Sequence, residues 1–274
     1  MKAYLKRMLA RTIWRYDSRQ FVDAVRALGI SPGDVLMVHA SWSTDSGFSG
    51  RPVDLVHALQ QTAGDSGLLC MPSLTYQNES TREFLARGIA MNVRRSPSKM
   101  GLLSEVFRRG REVHRSLSPT HPVLARGLGA EAFVAGHESC LVPFGEGSPF
   151  HRLLERDAKI LCINASFATV TFTHYLEDRI AAHLPFPLYE PEPMQGIVID
   201  HARRELRVPV RVISAQAHAL RREARLVAAL EREGLLRRAR IGNSRLLLLS
   251  CREMTRCVDH MTARGELFFD APDP

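Results

Sequence analysis

The sequence predicts an α/β fold in which a central mixed, partly parallel sheet is flanked by helices. Apolar segments of strand length lie at 31–43, 67–76 and 158–166, and they alternate with segments whose apolar residues recur at helical spacing. Strands that alternate with helices build sheets with parallel pairs. From about residue 185 the pattern changes, and we expect an antiparallel and helical C-terminal elaboration over 185–274.

The strands of the N-terminal half are bounded by turn signals. The first follows a turn at 31–34 and continues as an uninterrupted apolar run that ends at His39. The second is stopped near Pro72, because proline has no amide hydrogen for the next rung of a sheet. Helices are predicted at 52–64, 100–110 and 130–137, before the third strand.

The C-terminal half opens with LPFPLYEPEP, whose prolines prevent regular structure over more than a few residues. The alternating segment GIVIDHARRELRVPVRVI predicts an antiparallel pair with a turn near 200–203. After it we predict a long helix, a strand and a last helix closed by Gly265: AHALRREARLVAALEREGLL, SRLLLLSC and REMTRCVDHMTARG. No linker separates the two halves, so a single domain is expected over 1–274.

The first twenty residues are basic and amphipathic. Leu5, Met8, Leu9 and Ile13 recur at helical spacing, which predicts an amphipathic helix over 1–20. The segment has neither a long apolar core nor a small-residue cleavage site, so no secretory signal is expected. Apolar runs elsewhere are strand-sized, and we expect a cytoplasmic protein without a membrane partner.

The cysteines and histidines do not follow a metal-binding or disulfide pattern. The five cysteines are scattered without a C-x-x-C pair, which indicates free thiols in a reducing compartment. The histidines form no H-E-x-x-H or other zinc spacing. We therefore expect no catalytic metal.

The formal net charge of +8 is concentrated in arginine clusters. The cluster at 221–240 alternates with glutamates, as a solvated helix face does, so charge alone does not indicate a nucleic-acid partner. The positive charge of these clusters is better explained by binding of a charged small cofactor or an acidic acceptor.

One segment carries a candidate acid/base pair. TVTFTHYLEDR follows the third strand and places His174 three residues before Glu177. In a helix the two side chains share one face, and a carboxylate can orient a histidine that moves a proton near neutral pH. A histidine at a helix start is also commonly structural, so the spacing alone leaves both interpretations open.

The phosphate-binding glycine motifs are absent: neither a P-loop nor G-x-G-x-x-G occurs, and there is no G-x-S-x-G elbow. Two irregular segments, RRSPSKMG (94–101) and HRSLSPTHPVLARG (114–127), combine arginine, serine and proline. Arginines and hydroxyls in rigid loops suit the phosphates of a cofactor. A loop that needs a fixed shape would explain the prolines equally well.

Six segments in order resemble the aminoglycoside 3-N-acetyltransferase family, also described as antibiotic N-acetyltransferases. They are GDVLMVHASWS, GLLCMPSLTY, RRSPSKMGLLSEVFRR, RSLSPTHPVLARG, PFGEGSPFHRLL and KILCINASFATVTFTHYLED. IGNSRLLLLSCREM then resembles the closing segment of the family. The resemblance covers about residues 20–265.

The resemblance implies acetyl transfer from acetyl-coenzyme A to a primary amine, on an aminoglycoside-type antibiotic or another amino sugar. It implies that His174 is the general base and Glu177 its acidic partner. We expect direct attack of the amine on the thioester. It also places coenzyme A beside five residues: Ser41, Arg115 and Ser116, with Arg94 and Ser98 as secondary candidates.

The chain differs from the family pattern around these groups. Ser118 and Pro122 stand where a histidine and a serine are common, and Ala168 lies where an aspartate is expected before the histidine. Antibiotic resistance and acylation of a biosynthetic precursor therefore stay open. So does a catalytically altered member that binds an acidic ligand or nucleic acid, and a homodimer is one alternative for the assembly. Four carboxylates are candidates for an acceptor site: Glu177, Asp178, Glu190 and Glu192.

Overall fold

The structure, a computed structural model, describes residues 8–272. Its strands are β1 Val35–Ala40, β2 Leu68–Pro72, β3 Met91–Asn92, β4 His114–Arg115, β5 Val123–Gly127, β6 Lys159–Ile163, β7 Met194–Ile199, β8 Glu205–Val210, β9 Arg237–Ile241 and β10 Ser244–Ser250. Its α-helices are α1 Ser18–Ala27, α2 Pro52–Ala63, α3 Thr81–Ala86, α4 Leu102–Arg108, α5 Ala130–Val134, α6 Pro149–Glu155, α7 Thr173–Arg179, α8 Ala215–Leu220, α9 Glu223–Arg232 and α10 Cys251–Ala263. Short 3-10 helices lie at His137–Ser139, Phe167–Thr169 and Ala181–His183.

The main sheet has seven strands in the order β4-β5-β2-β1-β6-β10-β9. β1 pairs in parallel with β2 and with β6, whereas β5 is antiparallel to β2 and β10 is antiparallel to β6. A second sheet of three strands has the order β3-β7-β8, with β7 and β8 antiparallel. The predicted mixed, partly parallel sheet is confirmed.

The central strand β1 is buried on both faces, which explains its uninterrupted apolar sequence. Leu36 and Val38 belong to the core on one side of the sheet, and Val35 and Met37 belong to the core on the other. Because β1, β2 and β6 are parallel, their carboxyl ends meet at one edge of the sheet. Ligand sites of open α/β sheets form at that edge.

The C-terminal region contributes to both sheets. β7 and β8 belong to the second sheet, while β9 and β10 complete one end of the main sheet. The last helix, α10, buries one face against the main core through Met254, Val258 and Met261. None of the helices within residues 8–272 is long and apolar enough to cross a membrane.

The helix expected over residues 1–20 is not continuous. Residues 1–7 lie outside the described part of the chain, residues 8–11 are helical, and a turn occupies 12–14. α1 begins anew at Ser18, where Asp17 accepts a hydrogen bond from Gln20 N and forms a capping box.

The long helix predicted over 217–236 is also divided. α8 ends at Leu220 and α9 begins at Glu223, with Arg221 in an extended conformation between them. A bridge between Arg221 and Phe269 holds this break against the C-terminal segment, together with hydrogen bonds from Arg222 N to Phe268 O and from Asp270 N to Leu220 O, each 2.8 Å. The break turns the Arg221 side chain toward α7.

Candidate active site

A cavity of about 910 Å³ opens at the carboxyl ends of β1, β2 and β6. Its walls come from these strand ends, the N-terminal end of α4, the 3-10 helix Phe167–Thr169 and the β9–β10 pair. Residues that line it include His39, Ser41, Gln77, Ser104, Asn164 and Thr169. This is the position at which parallel strands place a ligand.

The charged residues of this cavity are all cationic. Lys99, Arg238 and Arg245 line it, and no aspartate or glutamate occurs among the described residues that do. Arg238 also pairs with Glu231 at 2.6 Å, and both side chains are about half exposed to solvent. A cavity lined by charge of one sign concentrates ligands of the other sign, so an anionic ligand fits here.

His39 and Ser104 form the inner wall of the cavity. His39 is 4% exposed, its Nε2 has no hydrogen-bond partner among the described residues, and burial lowers its pKa to about 4. The imidazole is therefore neutral at neutral pH. The Ser104 hydroxyl donates to Pro72 O at 2.6 Å, which ties the start of α4 to the end of β2.

His174 and Glu177 lie on one face of α7. His174 Nδ1 is 2.9 Å from Glu177 Oε2, and the second carboxylate oxygen, Oε1, lies 2.7 Å from Arg221 Nε. Glu177 is 1% exposed, whereas the His174 side chain keeps 20% of its surface exposed. Arg221 Nη2 also donates to Thr173 Oγ1 at 2.9 Å, which fixes its guanidinium beside the start of the helix.

The charge of Glu177 is stabilised by its two partners. Burial alone would raise the pKa of Glu177, but His174 and Arg221 outweigh it, and the pKa lies below its ordinary value. Glu177 is therefore ionised at neutral pH and accepts the Nδ1 proton of His174. In the neutral form of a histidine whose Nδ1 donates in this way, Nε2 carries the lone pair.

Two rings confine His174. His121 lies edge-on to it with 5.8 Å between ring centroids, and the Phe144 ring lies 5.3 Å away. His121 is 6% exposed, and burial, followed by the charge of His174, lowers its pKa far below the ordinary value. Its Nδ1 is 3.0 Å from Thr120 Oγ1. The second histidine is therefore held neutral beside the first.

His174 itself is not among the residues that line the cavity. The chain leaves β6, passes along the cavity wall through the 3-10 helix Phe167–Thr169 and enters α7 at Thr173. The cavity and the His174–Glu177 pair are therefore joined by one short connection.

Two of the predicted cofactor residues are buried where β4 ends and the next loop begins. Arg115 is 4% exposed, and its guanidinium donates to Ser96 O and Ser73 O, each at 2.6 Å. Ser116 is 1% exposed and bonds through its hydroxyl to His137 Nδ1 at 2.8 Å. Both side chains are used in these internal contacts, and neither is among the residues that line the cavity.

Of the other three predicted cofactor residues, Ser41 lines the cavity and Ser98 contacts a residue that does. Ser41 is an exposed residue at the end of β1 and lines the cavity. The Ser98 hydroxyl is 2.9 Å from that of Ser104, and Ser98 N donates to Glu105. Arg94 is exposed, and its carbonyl accepts a hydrogen bond from Arg108 at 2.7 Å.

A model of the aminoglycoside 3-N-acetyltransferase family matches residues 37–263 of the 274-residue chain. The chain belongs to this family. It is 26% identical over 191 residues to the aminoglycoside N(3')-acetyltransferase-like protein YokD of Bacillus subtilis (strain 168), which covers 64% of this chain and 70% of YokD.

An aminoglycoside N(3)-acetyltransferase III of Serratia marcescens is 30% identical over 166 residues. That alignment covers 56% of this chain and 61% of the relative, so the chain matches about three fifths of the length of this family member. The solved structure of AAC-IIIb in a binary complex with CoASH has a TM-score of 0.75 at 22% identity, over 94% of this chain and 99% of that one. The two share the aminoglycoside 3-N-acetyltransferase fold.

Sequence reasoning missed several residues of this family member's site. Lys99 lies inside the RRSPSKMG segment, Arg238 lies near the start of β9 and Arg245 near the start of β10, so the arginine cluster at 237–240 was the available signal. His121 and Arg221 could not be predicted from local sequence, because the residues they contact in the site, His174 and Glu177, are far away in the chain. Ser118, where the resemblance expects a histidine, accepts a hydrogen bond from His121 N at 3.1 Å.

Proposed function

We propose that this protein transfers an acetyl group from acetyl-coenzyme A to a primary amine, with His174 as the general base. The observation that carries the proposal is the cavity at the carboxyl ends of the parallel strands, whose charged lining is entirely cationic. Membership of the family supports it, as does the CoASH complex of AAC-IIIb.

The residues present fit coenzyme A. Its nucleotide carries several phosphate charges, and we propose that Lys99, Arg238 and Arg245 bind them, because lysine and arginine are the side chains that best complement phosphate. Ser41 is proposed to contact coenzyme A directly, and Arg94 to extend the basic surface.

The remaining predicted cofactor residues act through their neighbours in this proposal. Ser98 bonds to Ser104 on the cavity wall, and Arg115 ties together the two segments before α4. Ser116 fixes His137 behind them. Together they maintain the shape of the binding surface.

In this proposal His174 accepts the proton of the amine. In acetyl transfer the amine nitrogen bonds to the carbonyl carbon, the carbon–sulfur bond breaks, the amine loses a proton and the thiolate gains one. His174 Nδ1 is occupied by Glu177, so Nε2 is the atom that takes the amine proton. Glu177 orients the ring and stabilises the imidazolium, and Arg221 keeps Glu177 ionised.

The test is the His174→Ala variant, assayed by release of free thiol from acetyl-coenzyme A. Loss of a general base lowers turnover by at least about 100-fold. Binding of acetyl-coenzyme A, measured by titration calorimetry, stays within about twofold, because the cationic residues are intact.

The matched control is His183→Ala, which removes an exposed histidine from the 3-10 helix after α7. This variant keeps wild-type turnover. Near-normal turnover in His174→Ala would sink the assignment of the base, whereas loss of coenzyme A binding in the wild-type protein would sink the proposed function.

A further inference from the structure

His137 is a buried histidine that takes no direct part in the proposed acetyl transfer. It lies in the 3-10 helix after α5 and is 1% exposed. Its Nδ1 is 2.8 Å from Ser116 Oγ, and its Nε2 is 2.6 Å from Pro143 O. Ser116 Oγ is also 2.8 Å from Val123 N. Four groups from separate segments therefore form one continuous chain of hydrogen bonds.

The two ends of this chain determine its direction. The Val123 amide can only donate, and the Pro143 carbonyl can only accept. The Ser116 hydroxyl therefore accepts from Val123 N and donates to His137 Nδ1, which leaves His137 Nε2 as the donor to Pro143 O. Burial lowers the pKa of His137 to about 4, so the imidazole is neutral at neutral pH and carries its proton on Nε2.

The residue after Pro143 is Phe144, the central ring of an aromatic cluster. Phe144 is 2% exposed, and its ring centroid lies 5.3 Å from that of His174 and 5.5 Å from that of His121. Tyr189 lies on it at 6.4 Å. Aromatic rings attract one another at such separations. The backbone position of Phe144 therefore determines how its ring meets His174.

His174 needs this contact because Glu177 holds only one atom of its ring. A hydrogen bond at Nδ1 leaves the imidazole free to tilt about that contact. The Phe144 ring, inclined by 32° to the imidazole, and the His121 ring limit the tilt. Proton transfer requires Nε2 to be aligned with the attacking amine, so the orientation of the ring affects turnover.

The segment that carries Phe144 has no regular secondary structure. It runs from Cys140 to Ser148, between the 3-10 helix and α6, and contains a turn in which Gly145 N donates to Val142 O at 3.1 Å. No strand pairing fixes this part of the described chain, and Pro143 has no amide hydrogen to donate. The Pro143 carbonyl is therefore the backbone group through which His137 anchors the turn.

We propose that His137 is a positioning residue for acetyl transfer, and that its hydrogen bond to Pro143 fixes Phe144 against the His174 ring. The inference rests on the proposed role of His174 as the base. It assigns an effect on turnover to a side chain that is not among the residues lining the cavity.

The first test compares His137→Leu with His137→Gln in the full chain. Thiol release is measured with saturating acetyl-coenzyme A and with glucosamine or sisomicin as the amine. His137→Leu lowers kcat by at least about 10-fold, because the ring of the base is no longer aligned. The Kd for acetyl-coenzyme A stays within about threefold, since Ser116 keeps its hydrogen bond from Val123 N.

His137→Gln is the conservative variant. Its side-chain amide can donate to the Pro143 carbonyl in place of Nε2, and kcat returns to within about threefold of the wild type. If the Leu and Gln variants lose turnover equally, the hydrogen bond to Pro143 is not what turnover depends on, and the inference fails.

The second test is a double-mutant cycle with Phe144→Leu, which removes the ring and keeps an apolar side chain. Because both residues act on the same imidazole, the double variant has a kcat within about threefold of the slower single variant. If the two losses multiply, His137 acts independently of Phe144, and the inference is overturned.

Lys159→Met is the control for stability. Lys159 lies at the amino end of β6, on the edge of the sheet opposite the cavity, and donates to Gly29 O at 2.7 Å and to Asp34 at 2.6 Å. This variant lowers Tm but keeps wild-type kcat. An equal loss of kcat in Lys159→Met and His137→Leu would mean that reduced stability alone accounts for the effect of His137.

A measurement without substrate separates this inference from the proposed function. In protein with 15N-labelled histidine, NMR detects the Nδ1 proton that His174 shares with Glu177. His137→Leu weakens this signal, because a mobile ring exchanges the proton with water. If the signal and kcat both persist in His137→Leu, the inference alone fails. If the wild type releases no thiol, the proposed function fails, and the NMR comparison alone decides whether His137 orients the ring.

Discussion

At the scale of single residues, the centre of the site is a buried charge with two partners. Glu177 is almost fully buried between His174 and Arg221. A buried carboxylate is tolerated when opposite charges lie beside it, and removal of one partner leaves an uncompensated charge. The environment of Glu177 therefore sets both the orientation of His174 and the charge state of the pair.

Glu177→Gln tests this role. The amide oxygen still accepts a hydrogen bond from His174, but the negative charge that stabilises the imidazolium is lost. Turnover falls by about 10- to 100-fold, and KM for acetyl-coenzyme A changes little. Steady-state kinetics with thiol detection measure both parameters.

The matched control is Glu223→Gln, which removes a carboxylate on the other side of Arg221, 3.6 Å from it. This variant retains turnover within about threefold. If turnover falls equally in the two variants, it depends on the Arg221 guanidinium and not on the effect of the Glu177 charge on His174.

The pair itself could be predicted from the sequence, but its surroundings could not. The spacing of His174 and Glu177 on a helix is a local property. Arg221 reaches Glu177 only because the helix predicted over 217–236 breaks there, and His121 reaches His174 from the loop before β5. Such contacts depend on tertiary packing, which a periodic pattern does not encode.

At the scale of elements, α4 joins the cavity wall to the preceding loop through one carboxylate. Glu105 accepts hydrogen bonds from Ser98 N, Arg108 and Arg109 at 2.7 to 2.8 Å. The Arg108 hydrogen bond is the largest of the effects that lower the pKa of Glu105 to about 2. Ionised Glu105 therefore stabilises the folded protein.

Glu105→Gln shows how that stabilisation depends on pH. Because the folded-state pKa is below the ordinary value of 4.5, the stabilisation is complete above pH 4.5 and is lost as the pH falls toward 2. The variant is less stable than the wild type at pH 7. The difference between their free energies of unfolding becomes smaller below pH 4.5. Urea unfolding at several pH values gives the free energies.

Glu112→Gln serves as the control, since the Glu112 side chain is 79% exposed. Its free energy of unfolding differs little from the wild type at any pH. If the free-energy difference between Glu105→Gln and the wild type stays constant from pH 7 to pH 3, ionised Glu105 does not stabilise the folded protein in the way proposed.

Strands with a clear hydrophobic pattern could be predicted from the sequence, whereas strands without one could not. The buried parallel strands β1, β2 and β6 appear as apolar runs because both faces are covered. β9 has the sequence RRARI and forms an exposed edge of the sheet, so no hydrophobic alternation marks it. β5 lies within 114–127, a segment for which the sequence predicts irregular structure.

At the scale of the whole molecule, the net charge of +8 and the cationic cavity both attract anionic ligands. Charges that are exposed to solvent interact over about a Debye length, roughly 10 Å at 0.1 M salt. An anionic co-substrate is therefore attracted before it makes contact, and the attraction depends on ionic strength.

Salt should weaken coenzyme A binding. Between 20 mM and 500 mM NaCl the Kd for acetyl-coenzyme A is expected to rise by at least about 10-fold, because the cavity charges are screened. Arg245→Gln raises Kd at low salt and reduces the salt dependence. Isothermal titration calorimetry gives each Kd.

Arg252→Gln provides the comparison, because this arginine lies in α10 and pairs with Asp157 at 3.4 Å. It removes the same charge from the molecule without changing the cavity. If Arg252→Gln and Arg245→Gln alter Kd equally, net charge and not the cavity governs binding.

The break between α8 and α9 has a further consequence. The segment 268–270 holds the break through the Arg221–Phe269 bridge and its flanking hydrogen bonds. Arg221 in turn reaches the carboxylate that orients His174. His174 is therefore connected to the segment 268–270 through Glu177 and Arg221, and we expect that displacing this segment would change the orientation of the imidazole.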